Sequence, residues 1–200
     1  MKTRALHRIV GLVMLLPLVG WAVTGAFFFL KPGYGGAYEA LQVRTYPIEA
    51  NISLQPDPSW LEVRLEKTIL GEHLLARTTD GWRHLDPRSL QPRPRPSGDD
   101  IRVLVNDAFS VNPSRYGQVT SIDDASITTD TGVHVALDWN RLALAQRGKD
   151  TDRIDTIYKI HYLQWTGVES VDRVVGALGI LLLLLLSALG ARLFFGKGSQ

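Results

Sequence analysis

The sequence predicts a two-span α-helical membrane protein carrying an α+β, strand-rich extracytoplasmic domain between its spans. Three observations predict it. Two long uncharged apolar runs lie one near each end, Ile9 to Leu30 and Val174 to Ala191. The roughly 140-residue stretch between them alternates over short segments with period two, as half-buried strands do. All 20 acidic residues fall between Glu39 and Asp172, so both ends are purely basic.

The first run follows Lys2, Arg4 and Arg8. Its 22 residues, at 1.5 Å per helical residue, reach roughly 33 Å, the thickness of a hydrocarbon core. Pro17 and Gly20 lie within it and are expected to kink or loosen the helix, because Pro17 has no N–H for the carbonyl four residues back. The second run contains Leu181 to Leu186 and ends at Arg192, which can snorkel to the interface. Short basic flanks stay in the cytoplasm, so both termini are placed there; the intervening segment is too long for its own charges to count. Phe27, Phe28, Phe29, Tyr34 and Trp165 suit the outer interface. A cleaved signal peptide is the competing reading of the N-terminus, but its apolar core is usually only about 7–15 residues long. The predicted layout is therefore a cytoplasmic N-terminus over 1–8, a first span over 9–30, an outer domain over 31–150, an interfacial amphipathic helix over 151–167, a second span over 171–192 and a cytoplasmic tail over 193–200.

Within the outer domain, Glu62 to Glu66, His73 to Arg77 and Trp82 to Leu85 read as strands, with Asp80-Gly81 as a hairpin turn. Pro87 to Pro96 holds four prolines and three arginines and reads as an extended connector. Asp99 or Asp100 is expected to cap a helix carrying Ile101, Leu104, Val105 and Ala108 on one face. Val119 to Ile122, Ser126 to Thr129, Val133 to Trp139 and Leu142 to Gln146 follow as strands, with Thr131-Gly132 as a turn. The two blocks hint at a weak internal repeat. Asp150 or Asp152 is expected to cap a last helix reaching about Trp165, with Ile154, Ile157, Tyr158, His161 and Trp165 as its apolar stripe.

Composition excludes several function classes. Net charge is only +2 and is not gathered on one soluble stretch, which argues against nucleic acid. Cys is absent, so disulfides, iron–sulfur clusters, thiolate zinc sites and covalent c-type haem are excluded. Phosphate-loop, dinucleotide and hydrolase motifs are missing. Lys31 to Gly36 reads as a flexible exit from the membrane, and Asn51-Ile52-Ser53 matches a glycosylation sequon. His73, His84 and His134 have no metal-ligand spacing and read as surface or internally satisfied residues.

His7 and His161 differ in placement, one at each membrane mouth. His7 shares a helix face with Gly11, Met14, Leu18, Trp21 and Gly25. Glycine one turn from a histidine lets a flat macrocycle or a second backbone approach. The plain alternatives are a basic flanking residue for His7 and an interfacial, carbonyl-bonded ring for His161. Gly176, Gly179, Ser187 and Gly190 form a close-packing face on the second span.

Arg4 to Leu12 with Trp21-Ala22-Val23-Thr24-Gly25 resembles the opening helix of bacterial PepSY-associated transmembrane proteins. Ile160 to Gly167 with its leucine-rich sequel resembles their closing segment, and Asp86-Pro87 is similar to a PepSY turn. Larger relatives have four helices and include iron-regulated inner-membrane proteins and ferric-siderophore reductases that use b-type haem. The resemblance implies a PepSY-like outer domain, a bacterial inner-membrane location, haem b, and His7 and His161 as its iron ligands. It implies electron transfer outward, to periplasmic ferric-siderophore complexes. Two helices in place of four imply a homodimer or a membrane partner. The histidines sit roughly 30 Å apart, so each would pair with its copy, giving two stacked haems, with Met14 a weaker alternative ligand. The other reading, from a different class, is a PepSY binding or regulatory module anchored in the bilayer without cofactor.

Overall fold

The computed structural model describes residues 2–49, 54–123 and 126–196, and the chain divides into two compact units, 1–34 with 152–200 and 35–151. The sequon at Asn51 and the tail from Lys197 lie outside the described residues.

In the helical unit, α1 (Lys2–Leu30) and α6 (Glu169–Phe195) pack on one another. Both are long and apolar enough to cross a membrane. Only 11% and 6% of their most apolar windows are buried within the chain. The core helix of a soluble protein would bury such residues, whereas Leu12, Leu16, Val23, Leu181 and Leu184 are exposed here. The inward stripe of α1 is the one the wheel predicts: Val10 and Met14 are buried, and a Cβ on Gly11 would meet Leu186 at 3.6 Å.

The other long helix, α5 (Lys149–His161), is shorter than the periodicity predicts. It stops before Trp165 because Leu163 turns left-handed, at φ 57°. Gln164 N then donates to Lys159 O at 2.8 Å, closing a Schellman-type end without the usual glycine signal. Leu163 is buried, its Cδ1 2.7 Å from the position of a Cβ on Gly179, so Gly179 gives that side chain its room. Thr166 N and Oγ1 both donate to Asp172 Oδ1, at 3.0 and 2.8 Å, fixing the turn that leads into α6.

The second unit is α+β. Strands β1 (Glu62–Thr68), β2 (Gly71–Thr78) and β3 (Gly81–Leu85) form an antiparallel meander. Strands β4 (Val119–Asp123), β5 (Ser126–Thr129), β6 (His134–Asp138) and β7 (Ala143–Arg147) form a second. The one-turn helix α2 (Tyr34–Ala37) begins where a flexible exit is expected, and its Ala37 is buried. Between the sheets run α3 (Gly98–Phe109) and the short α4 (Pro113–Tyr116). The cap of α3 is Ser97, not an aspartate: its Oγ accepts from Asp100 N at 3.2 Å and donates to Asp100 Oδ2 at 2.7 Å. Asp99 and Asp100 fall in the first turn, where carboxylates favour the positive end of the helix dipole. Likewise Asp150 does not cap α5. It sits inside the helix and accepts from Arg115 at 2.6 Å, which holds its carboxyl below the usual carboxylate range.

The main core joins Leu75 of β2, Ile101, Leu104, Val105 and Ala108 of α3, Tyr116, and Ile127, Val135 and Leu137 of the second sheet. A smaller cluster of Leu74, Ala76 and Leu85 covers the opposite face of the first sheet. Strand β2 is therefore buried on both faces, with His73 and Leu75 on one and Leu74 and Ala76 on the other.

Candidate functional site

His161 ends α5, where the last carbonyls of a helix have no partner of their own. Trp21 of α1 supplies one: its indole N–H donates to His161 O at 2.7 Å. One turn further along α1, Thr24 meets the imidazole. Its hydroxyl donates to Gly20 O at 2.6 Å, and its oxygen lies 2.8 Å from His161 Nδ1. A hydroxyl has one proton. With that proton committed to Gly20, Thr24 can only accept from the ring. His161 Nδ1 therefore carries a proton, and in the neutral form of the ring Nε2 has a lone pair. No hydrogen bond to Nε2 occurs among the described residues.

Rings surround the imidazole. Phe28 meets it edge-on with centroids 5.0 Å apart and stacks on Tyr158 at 4.5 Å; Tyr162 meets it at 5.5 Å. Beside it lies a cleft of about 640 Å³, bordered by Trp21, Lys159, Leu163, Arg173, Gly176 and Ile180. The lining is mostly apolar, with two cations, Lys159 and Arg173, and two carboxylates, Glu169 and Asp172; Arg173 is paired with Glu169. A neutral imidazole oriented through Nδ1, with Nε2 free, is the donor chemistry of a metal-ligating histidine. His161 would be the residue to hold a haem here, and Lys159 would meet its carboxylates, since Arg173 is paired with Glu169.

His7 sits differently. Its Nε2 lies 3.4 Å from the position a Cβ on Gly190 would take. The glycine face of α6 therefore admits the His7 ring at close range, and Met14, 1% exposed, is buried within the same unit. The structure does not bring His7 and His161 together. His161 is level with Thr24, so about 26 Å of helix α1 separates the two at 1.5 Å per residue.

Thr24 was not legible as a partner of His161, although its place three residues after Trp21 puts it on the inward stripe. Of the remaining histidines, His134 is exposed, while His73 and His84 are buried against each other. No group of three or more His, Asp or Glu side chains among the described residues could hold a metal ion. No family model matches the chain, and no curated protein or solved structure matches it either.

Proposed function

We propose that the chain is a bacterial inner-membrane protein of the PepSY-associated type that binds haem b through His161 and passes electrons outward. The observation that carries the reading is the bond pattern at His161: Thr24 accepts from Nδ1–H, Nε2 has no hydrogen bond among the described residues, and a mostly apolar cleft that includes Lys159 adjoins the ring. Bound there, a b-type haem would supply one-electron chemistry; the chain's part is to orient the imidazole, exclude water with Phe28, Tyr158 and Trp21, and balance carboxylate charge. A second histidine would complete the hold on the haem. A parallel homodimer would provide the partner's copy of His161, and His7 would pair in the same way near the cytoplasmic face. Basic ends place both termini in the cytoplasm and residues 35–151 in the periplasm. Ferric-siderophore complexes are the proposed acceptors, and quinol or another protein is the proposed electron donor.

Packing of His7 on Gly190 favours a second reading for that end, in which His7 closes the α1–α6 contact and only His161 ligates. The alternative class, an anchored binding module without cofactor, makes both histidines structural.

Spheroplasts expressing the chain test sidedness and transfer together. External protease is expected to cut within 35–151. An impermeant ferric chelate added outside is expected to be reduced faster than by spheroplasts carrying His161→Ala. Protection from external protease contradicts the orientation, and equal reduction rates contradict the electron path.

A further inference from the structure

His73 and His84 are the buried histidines of the second unit among the described residues, at 0% and 3% exposure, and the proposed electron path does not use them. They lie on the inner face of the first sheet, where His84 pairs in register with Leu75, two residues from His73. His73 Nδ1 is 2.9 Å from His84 Nε2, His84 Nδ1 is 2.7 Å from Trp139 O, and Thr68 Oγ1 is 2.7 Å from His73 Nε2.

The carbonyl of Trp139 can only accept, which fixes every proton in the chain. His84 Nδ1–H donates to Trp139 O, so in the neutral ring Nε2 accepts. His73 Nδ1–H donates to that nitrogen, and His73 Nε2 accepts from the Thr68 hydroxyl. Thr68 Oγ1 in turn accepts from Leu70 N at 3.0 Å. Every ring nitrogen is bonded while both imidazoles are neutral, and two added protons cannot be fitted into the same bonds. The two imidazoles join β2 and β3 to the turn that follows β6, with the rings at 4.2 and 5.7 Å from the Trp139 ring.

We propose that this pair is an acid-sensitive latch: when protons are drawn onto it, the β2–β3 hairpin releases from the Trp139 turn. One extra proton can be accommodated in the bonds if His73 changes tautomer, but it places a full charge in a buried site. A second proton sets two N–H groups face to face. Among the described residues no carboxylate hydrogen-bonds either ring. The nearby cation is Arg93, whose guanidinium donates to Leu70 O and Glu72 O. Of the other charged groups on the packed elements, Glu66 is opposite His73 in register, Asp86 and Asp100 border the connector cleft, and Asp138 and Arg141 flank Trp139 and are exposed.

Burial, and secondarily Arg93, lowers His73 from 6.5 to about 3. Burial lowers His84 to about 4, against the opposing effect of its bond to Trp139 O. The closed form therefore binds fewer protons than the open form below pH 6.5. The latch is at full strength above 6.5 and weakens as pH falls towards 4 to 3. An extracytoplasmic domain would meet such acidity whenever its surroundings acidify.

The test is hydrogen exchange by mass spectrometry on the full chain in nanodiscs at pH 7.5 and 5.0, corrected for intrinsic rates. Opening of peptides covering 71–85 and 134–142 should rise by about 30-fold per ring, the factor by which an ordinary imidazole in the open form is protonated at pH 5.0. Peptides of α3 should respond less. The His73→Gln/His84→Gln variant, which keeps bonding groups but cannot titrate, should lose the response. An equal acid response in that variant, or none in the parent, overturns the proposal. Should the variant not fold, imidazole ¹⁵N titration of the parent decides. Two rings neutral at pH 5.0, both protonated at Nδ1, support the latch; ordinary titration of all five histidines with unchanged exchange overturns it.

Discussion

Replacing His161 with Ala is expected to remove about half of the bound haem, and His7→Ala the other half, with the double variant holding none. An axial imidazole supplies most of the protein's hold on a low-spin haem iron, and about 26 Å of helix separates the two positions. Loss of one site should thus leave the other standing, and redox titration of each single variant should show one remaining step. Thr24→Val sharpens the expectation at His161. It removes the acceptor for Nδ1–H while keeping the side-chain volume, and loss of such an orienting partner costs about 10–100-fold in metal affinity. If His161→Ala removes everything and His7→Ala nothing, His7 belongs to helix packing alone, as its contact with Gly190 allows. If all three variants keep full haem content, neither histidine is a ligand.

Gly117→Ala is expected to destabilise the second unit by about 3 kcal/mol, read as a lower urea midpoint for the full chain in detergent. Gly117 joins α4 to β4 at φ 58° and ψ −131°, a conformation essentially confined to glycine. A Cβ there would fall 1.9 Å from Asp130 Oδ1 and 2.9 Å from Thr131 Cγ2. Asp130 cannot withdraw freely, because its carboxylate accepts from Gln118 N at 2.9 Å. Gly132→Ala is the control. Its φ is also positive, at 80°, but the nearest obstacle is the flexible end of Lys149 at 3.2 Å. Its cost should be about 1–2 kcal/mol. Equal costs would mean that Asp130 moves aside and that the clash is not the source.

Much of this architecture is legible because local patterns agree with tertiary burial. The alternating run Glu62 to Glu66 and the short run His73 to Arg77 fall within β1 and β2, and Asp80-Gly81 sits at the β2–β3 turn. The β6–β7 turn shifts the last strand by one residue, since Leu142 takes a left-handed conformation, φ 50°, that its side chain does not signal. The early end of α5 has the same origin in Leu163, whose strain is offset by packing beside Gly179. Ser97 takes the place of the aspartates as cap because the helix starts at Gly98, at least two residues earlier than a cap at Asp99 or Asp100 would place it. At the site, His161 stands out by position, but Thr24 lies 137 residues away in sequence, and no local pattern reports such a pairing. The same holds for His73 and His84. Each reads as an ordinary strand residue, and only the antiparallel register sets them side by side.

The central claim is that this chain holds a b-type haem on the neutral imidazole of His161. The reduced-minus-oxidised absorbance spectrum of the purified protein tests it most directly, recorded with haem supplied during expression. The account predicts sharp Soret and α bands of a low-spin b-type haem, at up to one haem per ligating histidine pair and weakened by Thr24→Val. A folded, dimeric or monomeric protein with no haem absorbance at all would contradict it and leave the anchored binding module as the better description.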